Sequence, residues 1–151
     1  MNLFLGVGGG FLTAVLWMDL MFDVLALRAR AGEEVPEESL AQIATYYRRV
    51  TTTASPMNLL ISAVMAGMIA VLTLQLFRGD GARLHAAVSL ALCGVPIGLA
   101  LSRVFPNAMR LGSRVDALQE QSRLARAICI DHLMCLAAIL AFLALRFAAA
   151  G

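Results

Sequence analysis

Apolar residues run along this chain in four long blocks, about 3–27, 57–77, 84–105 and 124–147, separated by stretches where charge collects. A helix that crosses a bilayer needs about 20 mostly apolar residues, and each block is near that length. None alternates apolar and polar positions with period two, which argues against a membrane β-barrel. Asp19 and Asp23 interrupt the first block, and the second carries no charge. His85 is the titratable group of the third until Arg103 near its end, and the fourth carries Arg126, Asp131 and His132. The expected fold is all-α: an integral membrane four-helix bundle forming one domain over residues 1–151.

The segments between the blocks also read as structure. Pro36 followed by Glu37-Glu38-Ser39-Leu40 opens a helix that runs to about Val50. Proline suits the first helical turn, and acids there complement the helix dipole. Ser55-Pro56 predicts the start of the second span, with Ser55 as its cap. Phe105-Pro106 predicts a break. After it, Asn107 to Arg126 reads as an amphipathic helix continuing into the fourth span, with Leu111, Val115, Leu118 and Leu124 at roughly helical spacing. Arg78-Gly79-Asp80-Gly81 reads as a tight turn with glycine at positive φ. Gly6, Gly8, Gly9 and Gly10, with Ala63, Gly67, Ala66 and Ala70, predict close helix packing. Pro96, between Gly94 and Gly98, predicts a kink.

Charge sets the orientation. All 12 basic residues are arginine. The two long connections carry Arg28, Arg30, Arg48, Arg49, Arg103, Arg110, Arg114 and Arg123, and the other side has Arg78, Arg83 and Arg146. By the positive-inside rule the two amphipathic linker helices are cytoplasmic and both termini lie outside, in a cell (inner) membrane. The N-terminal block has no basic residue before it, so it reads as a true span and not as a cleaved signal.

Composition narrows the function classes. The chain is 60% hydrophobic and 15% charged, where a soluble domain has about 25% charged residues, and its mean hydropathy is +0.80. That excludes a disordered chain, a nucleic-acid-binding domain and a secreted disulfide scaffold. The expected partners are the lipid bilayer and either further copies or other membrane subunits, with no nucleic acid. Cys93, Cys129 and Cys135 all fall in apolar blocks and read as small hydrophobes. The methionines read as core filler, and Trp17 and Tyr46-Tyr47 as membrane-interface anchors.

Polar groups inside hydrocarbon are costly and carry the functional argument. Asp19 lies eight residues before the end of the first block, about 12 Å along a helix, and Asp23 lies one turn further on the same face. Asp131 and His132 lie at a matching depth in the fourth block. Asn58 and Arg103 are nearer the same boundary, with Asn107 and Arg110 just beyond. Four helices thus bring polar groups to one level, which predicts a cytoplasm-side polar cavity. In it Asp19, Asp23, Asp131 and His132 are the candidate acid–base groups, and Asn58, Arg103, Asn107 and Arg110 the candidate substrate-binding groups. Asp19, Asp23 and His132 also offer oxygen and nitrogen donors of the kind Mn, Fe or Zn accept, but no recognised metal spacing is present and no metal or cofactor is assigned. Haem is disfavoured, since His85 and His132 fall near opposite sides of the membrane.

Tyr46-Tyr47-Arg48-Arg49 leading through Ser55-Pro56-Met57-Asn58 into the second span, then Phe105-Pro106-Asn107-Ala108-Met109-Arg110 before a polar fourth span, resembles the small four-span membrane proteins of the anthrone-oxygenase-like group and related families of unknown function. The resemblance covers most of the chain and implies an oxidoreductase acting on a lipophilic substrate. The four-span bacterial protoporphyrinogen oxidases share the plan, but the first span here lacks the histidine such a haem protein needs.

Three classes of function remain open from the sequence. The first is a protein handling a small lipophilic or ionic molecule, as an oxidoreductase or isomerase. The second is an accessory subunit in which Asp19 or Asp23 locks onto Arg103 or Arg110. The third is a proton or ion carrier.

Overall fold

The structure, a computed structural model, describes residues 2–30, 33–79 and 83–149. Among these there is no strand. Four helical stretches, Leu3–Leu27, Met57–Arg78, Arg83–Ser113 and Leu118–Ala148, are long and apolar enough to cross a membrane. The chain is a multi-pass, all-α bundle.

Helix α1 (Asn2–Asp23) ends in a 3-10 turn, Val24–Leu27, and α2 (Glu37–Thr52) follows the connection. α3 (Met57–Arg78) and α4 (Arg83–Leu99) come next. α4 passes through a π-turn, Ala100–Val104, into α5 (Phe105–Ser113), and α6 (Leu118–Ala148) completes the chain. In the bundle α1 lies between α6 and α3, and α4 between α3 and α6. α2 crosses one end of this bundle and packs on α5.

The apolar pattern explains two separate cores. Leu5 and Leu12 of α1, Met68 and Leu72 of α3, Cys93 of α4, and Ile139 and Phe142 of α6 form the core between the spans. A second core lies under α2, where Leu40, Ile43, Ala44 and Tyr47 recur at helical spacing against Ala108 and Leu111 of α5 and Leu124 and Ile128 of α6. The connection before α2 is pinned to α6: the Val35 N–H donates to Ser122 Oγ at 2.9 Å, and Arg126 donates to the carbonyls of Arg30 and Glu33.

Several local expectations are corrected. The helix does not break at Phe105-Pro106. The π-turn has already shifted the pairing there, so the Phe105 N–H bonds to the Ala100 carbonyl, five residues back. The wider turn absorbs the ring and missing donor of Pro106. The break falls instead at Arg114, in the left-handed region at φ 53°, so the expected Asn107–Arg126 helix is split between α5 and the start of α6. Pro56, and not Ser55, stands at the cap position of α3, without a side-chain cap bond. Gly79 has φ 68° and ends α3 as expected, while Asp80 and Gly81 of the predicted turn lie outside the described residues. Met68 is core, but Met18, Met21, Met57, Met109 and Met134 are exposed on the outer surface. Trp17 is exposed there too.

The glycines divide in the same way. A Cβ on Gly8 would meet the Met68 side chain and one on Gly9 the Leu143 side chain, whereas Gly6 and Gly10 face open space. The tightest approach against backbone is Gly112 of α5, where a Cβ would lie 2.9 Å from the Arg48 backbone nitrogen of α2. Backbone cannot give way as a side chain does. Gly112→Ala should therefore destabilise the protein by about 1–3 kcal/mol, seen as a lowered thermal midpoint in detergent. Gly10→Ala, with nothing in its way, should raise the midpoint through helix propensity.

Candidate functional site

Where the two cores meet, three helices bring polar side chains together. α1 supplies Asp19 and Asp23, one turn apart. α2 supplies Tyr46 and Tyr47, and α6 supplies His132. Asp23 is fully buried, and each of its oxygens has a partner. The Tyr47 hydroxyl donates to Oδ1 at 2.6 Å, and His132 Nδ1 lies 2.6 Å from Oδ2. Asp19 Oδ1 accepts the Tyr46 hydroxyl at 2.5 Å. Its Oδ2 lies 3.8 Å from His132 Nε2. The Tyr46 ring stacks on Phe22 at 4.2 Å, which holds its hydroxyl over Asp19.

This geometry decides how the imidazole is used. An ionised carboxylate only accepts hydrogen bonds, so the contact with Asp23 places a proton on Nδ1. In the neutral ring that leaves the Nε2 lone pair free, on the side of Asp19. Burial, and then the facing Asp19 carboxylate, raises the Tyr46 phenol above its ordinary value of 10.0. Burial and then Asp23 and Asp19 raise the Tyr47 phenol in the same direction. Both tyrosines therefore stay protonated as donors.

A cavity of about 310 Å³ opens beside these groups. Asp19, Tyr47 and His132 form one part of its wall, with Asn58, Thr51 and Ser62 nearby, and the remainder is almost wholly apolar. Leu12, Leu16, Ile61, Met65, Ile97 and Ile139 are among that apolar lining.

The other candidates fall elsewhere. Asp131 is adjacent to His132 in sequence but points about 100° around the helix, where its Oδ1 pairs with Arg103 at 3.3 Å. Its Oδ2 is buried without a hydrogen-bond partner. Arg110 pairs with Asp116 at 2.8 Å and with Glu120 at 3.2 Å. Asn107 is half-buried on α5 and does not line the cavity. Asn58 does line it, and its amide donates to the Val50 carbonyl at 2.9 Å, tying the first turn of α3 to the end of α2. The expected lock of Asp19 or Asp23 onto Arg103 or Arg110 does not form, because tyrosines and a histidine satisfy the two aspartates and other carboxylates take the arginines. Among the described residues, no group of three His, Cys, Asp or Glu side chains is placed to hold a metal ion. The three cysteines are free and buried.

From sequence, Tyr46 and Tyr47 suit interface anchors; the structure places both at the site. A signal for Tyr47 was present: Leu40, Ile43, Ala44 and Tyr47 continue the apolar stripe of α2, which points it inward. Compared with known proteins, the chain matches no family model, no curated protein and no solved structure.

The tyrosines provide a direct test. They are the chain's 2 tyrosines, so tyrosinate absorbance reports on this pair alone. A tyrosine whose folded pKa is raised contributes stability that is full below its unfolded value of 10.0 and is lost as pH climbs above it. The folded protein should show no tyrosinate at about pH 11, the denatured protein should show both, and stability should fall above pH 10. A tyrosinate step at ordinary pH in the folded protein would contradict the buried pairing. Tyr47→Phe, which strips one donor from buried Asp23, should cost about 1–3 kcal/mol in thermal or denaturant unfolding.

Proposed function

We propose that this protein carries a membrane-embedded acid–base site for a small lipophilic molecule bearing a hydroxyl group, and that it works as an isomerase or oxidoreductase of such molecules. The observation that carries this reading is His132, held at Nδ1 by a fully buried aspartate while its Nε2 edge faces Asp19 in the wall of an apolar cavity. Asp23 orients the ring, and Tyr47 fixes Asp23. With the ring neutral, the two groups presented to a ligand, Nε2 and the Asp19 carboxylate, are both acceptors, so in that state the site favours a hydrogen-bond donor.

In the reaction, the proton of a bound O–H passes to Nε2, and the two aspartates stabilise the resulting imidazolium. Return of that proton to a carbon of the same molecule completes a keto–enol isomerisation. The same proton transfer turns a phenol into its phenolate, from which an external electron acceptor such as dioxygen would have to take the electrons for any oxidation. The resemblance to anthrone-oxygenase-like proteins points toward the second. The accessory-subunit reading draws on the Arg103–Asp131 pair, which ties α6 to the π-turn, but that pair stands apart from the cavity and gives it no role.

The test uses protein in lipid nanodiscs and two probes of similar shape, 1-naphthol and 1-methylnaphthalene, in a calorimetric titration. The wild type should bind the naphthol about tenfold more tightly, a difference of about 1.4 kcal/mol, and His132→Phe should erase the preference. Equal binding of the two probes, or none, would reject the reading.

We also place the α2 end of the bundle on the cytoplasmic side, since most of the arginines gather there. In right-side-out vesicles, a single cysteine introduced at Gly79 should react with an impermeant reagent from outside. One at Ser113 should react only after the membrane is opened. The reverse pattern would invert the topology.

A further inference from the structure

The cavity wall is not uniformly covered. Most of its lining is buried or half-buried, including every contribution from α1, α2 and α6. Three lining residues are exposed: Ser62 on α3, with Leu101 and Phe105 facing it from the π-turn and the start of α5. Leu101 is 61% exposed and Phe105 48%. The exposed part of the wall therefore lies between α3 and the α4–α5 helix.

That gap opens sideways and not at the end of the bundle. Ser62 stands five residues inside the start of α3, about 7.5 Å along its axis. The α4–α5 helix runs on to Ser113 beyond Phe105, another eight residues or about 12 Å. The α2 end is closed: Tyr47, Val104 and Ala108 are buried there, and the bond from Asn58 to the Val50 carbonyl joins α3 to α2. The residues that flank the gap are apolar apart from Ser62, and both helices that form it belong to membrane-length stretches.

We infer that the cavity is reached laterally from the bilayer, through a portal between α3 and the π-turn, so that its ligand is a molecule dissolved in lipid and not one arriving from water. What passes through the portal rests on the proposed function. The route is independent of it. A ligand entering here meets the apolar walls first and presents its hydroxyl to His132 and Asp19 at the far side. Product leaves by the same gap back into the bilayer.

Cys135 provides the probe, since it lines the cavity and is 3% exposed. In a Cys93→Ala, Cys129→Ala background it is the last of the chain's 3 cysteines. The protein is reconstituted in liposomes and treated with N-phenylmaleimide, which partitions into lipid, or with a sulfonated maleimide, which stays in water. N-Phenylmaleimide should label Cys135 at least about tenfold faster. Ser62→Trp and Leu101→Trp, which narrow the portal, should each slow that labelling about tenfold while leaving the reaction in denaturing detergent unchanged.

Labelling by the sulfonated reagent at an equal or greater rate would show a cavity open to water and overturn the inference. Labelling of the denatured but not the folded protein would show a closed cavity and overturn it too, as would labelling that neither tryptophan slows. None of these results depends on whether naphthol is preferred over methylnaphthalene, so the route and the acid–base reading fail separately.

Discussion

A carboxylate with no access to water is the constraint around which this bundle is arranged. Removing an ion from water costs several kcal/mol even after relaxation, and Asp23 is fully buried. It is accommodated because a hydroxyl from α2 and an imidazole from α6 converge on its two oxygens. Three helices distant in sequence are thereby held in one register. α2 is consequently more than a connection between spans: its Tyr47 closes the polar site from one side while its Leu40 and Ile43 bury the apolar surfaces of α5 and α6.

The site also owes its position to the division of the interior. The cavity occupies the boundary between the two apolar clusters, touching Leu12 and Ile139 of one and Tyr47, Val104 and Ala108 of the other. Polar groups at that boundary can be both buried and reachable. Deeper in either cluster they would be sealed, and further out they would be hydrated. An imidazole between two carboxylates is then held in one orientation by the protein's own contacts.

The sequence made the four spans legible because apolar runs of that length have few alternatives, and the depth of Asp19, Asp23 and His132 followed from counting along helices. Rotation about the helix axis was harder to read. Asp131 and His132 are neighbours in sequence and share a depth, yet they serve different partners, because in a helix as apolar as α6 the periodicity that fixes facing is weak. Aromatic residues near arginines suit a membrane interface, which hides the site role of Tyr46 and Tyr47, and only for Tyr47 does the apolar stripe of α2 point inward. The helix through Phe105-Pro106 was not legible at all, since a π-turn leaves no pattern of its own in the chain.

That π-turn has a consequence for which residues face inward. Pro96, Ala100, Val104 and Ala108 all line the cavity, as do Ile97, Leu101 and Phe105, so the inward positions repeat every four residues. An α-helix turns about 100° per residue, and a strict four-residue repeat would drift about 40° with each step, or about 120° from Pro96 to Ala108. The wider turn at Ala100–Val104 takes back much of that drift and keeps one stripe in phase across two helical segments. The extra residue it holds works as a phase adjustment. A chain one residue shorter here would keep its composition and apolar length, but it would turn the Ala108–Leu111 face of α5 away from α2.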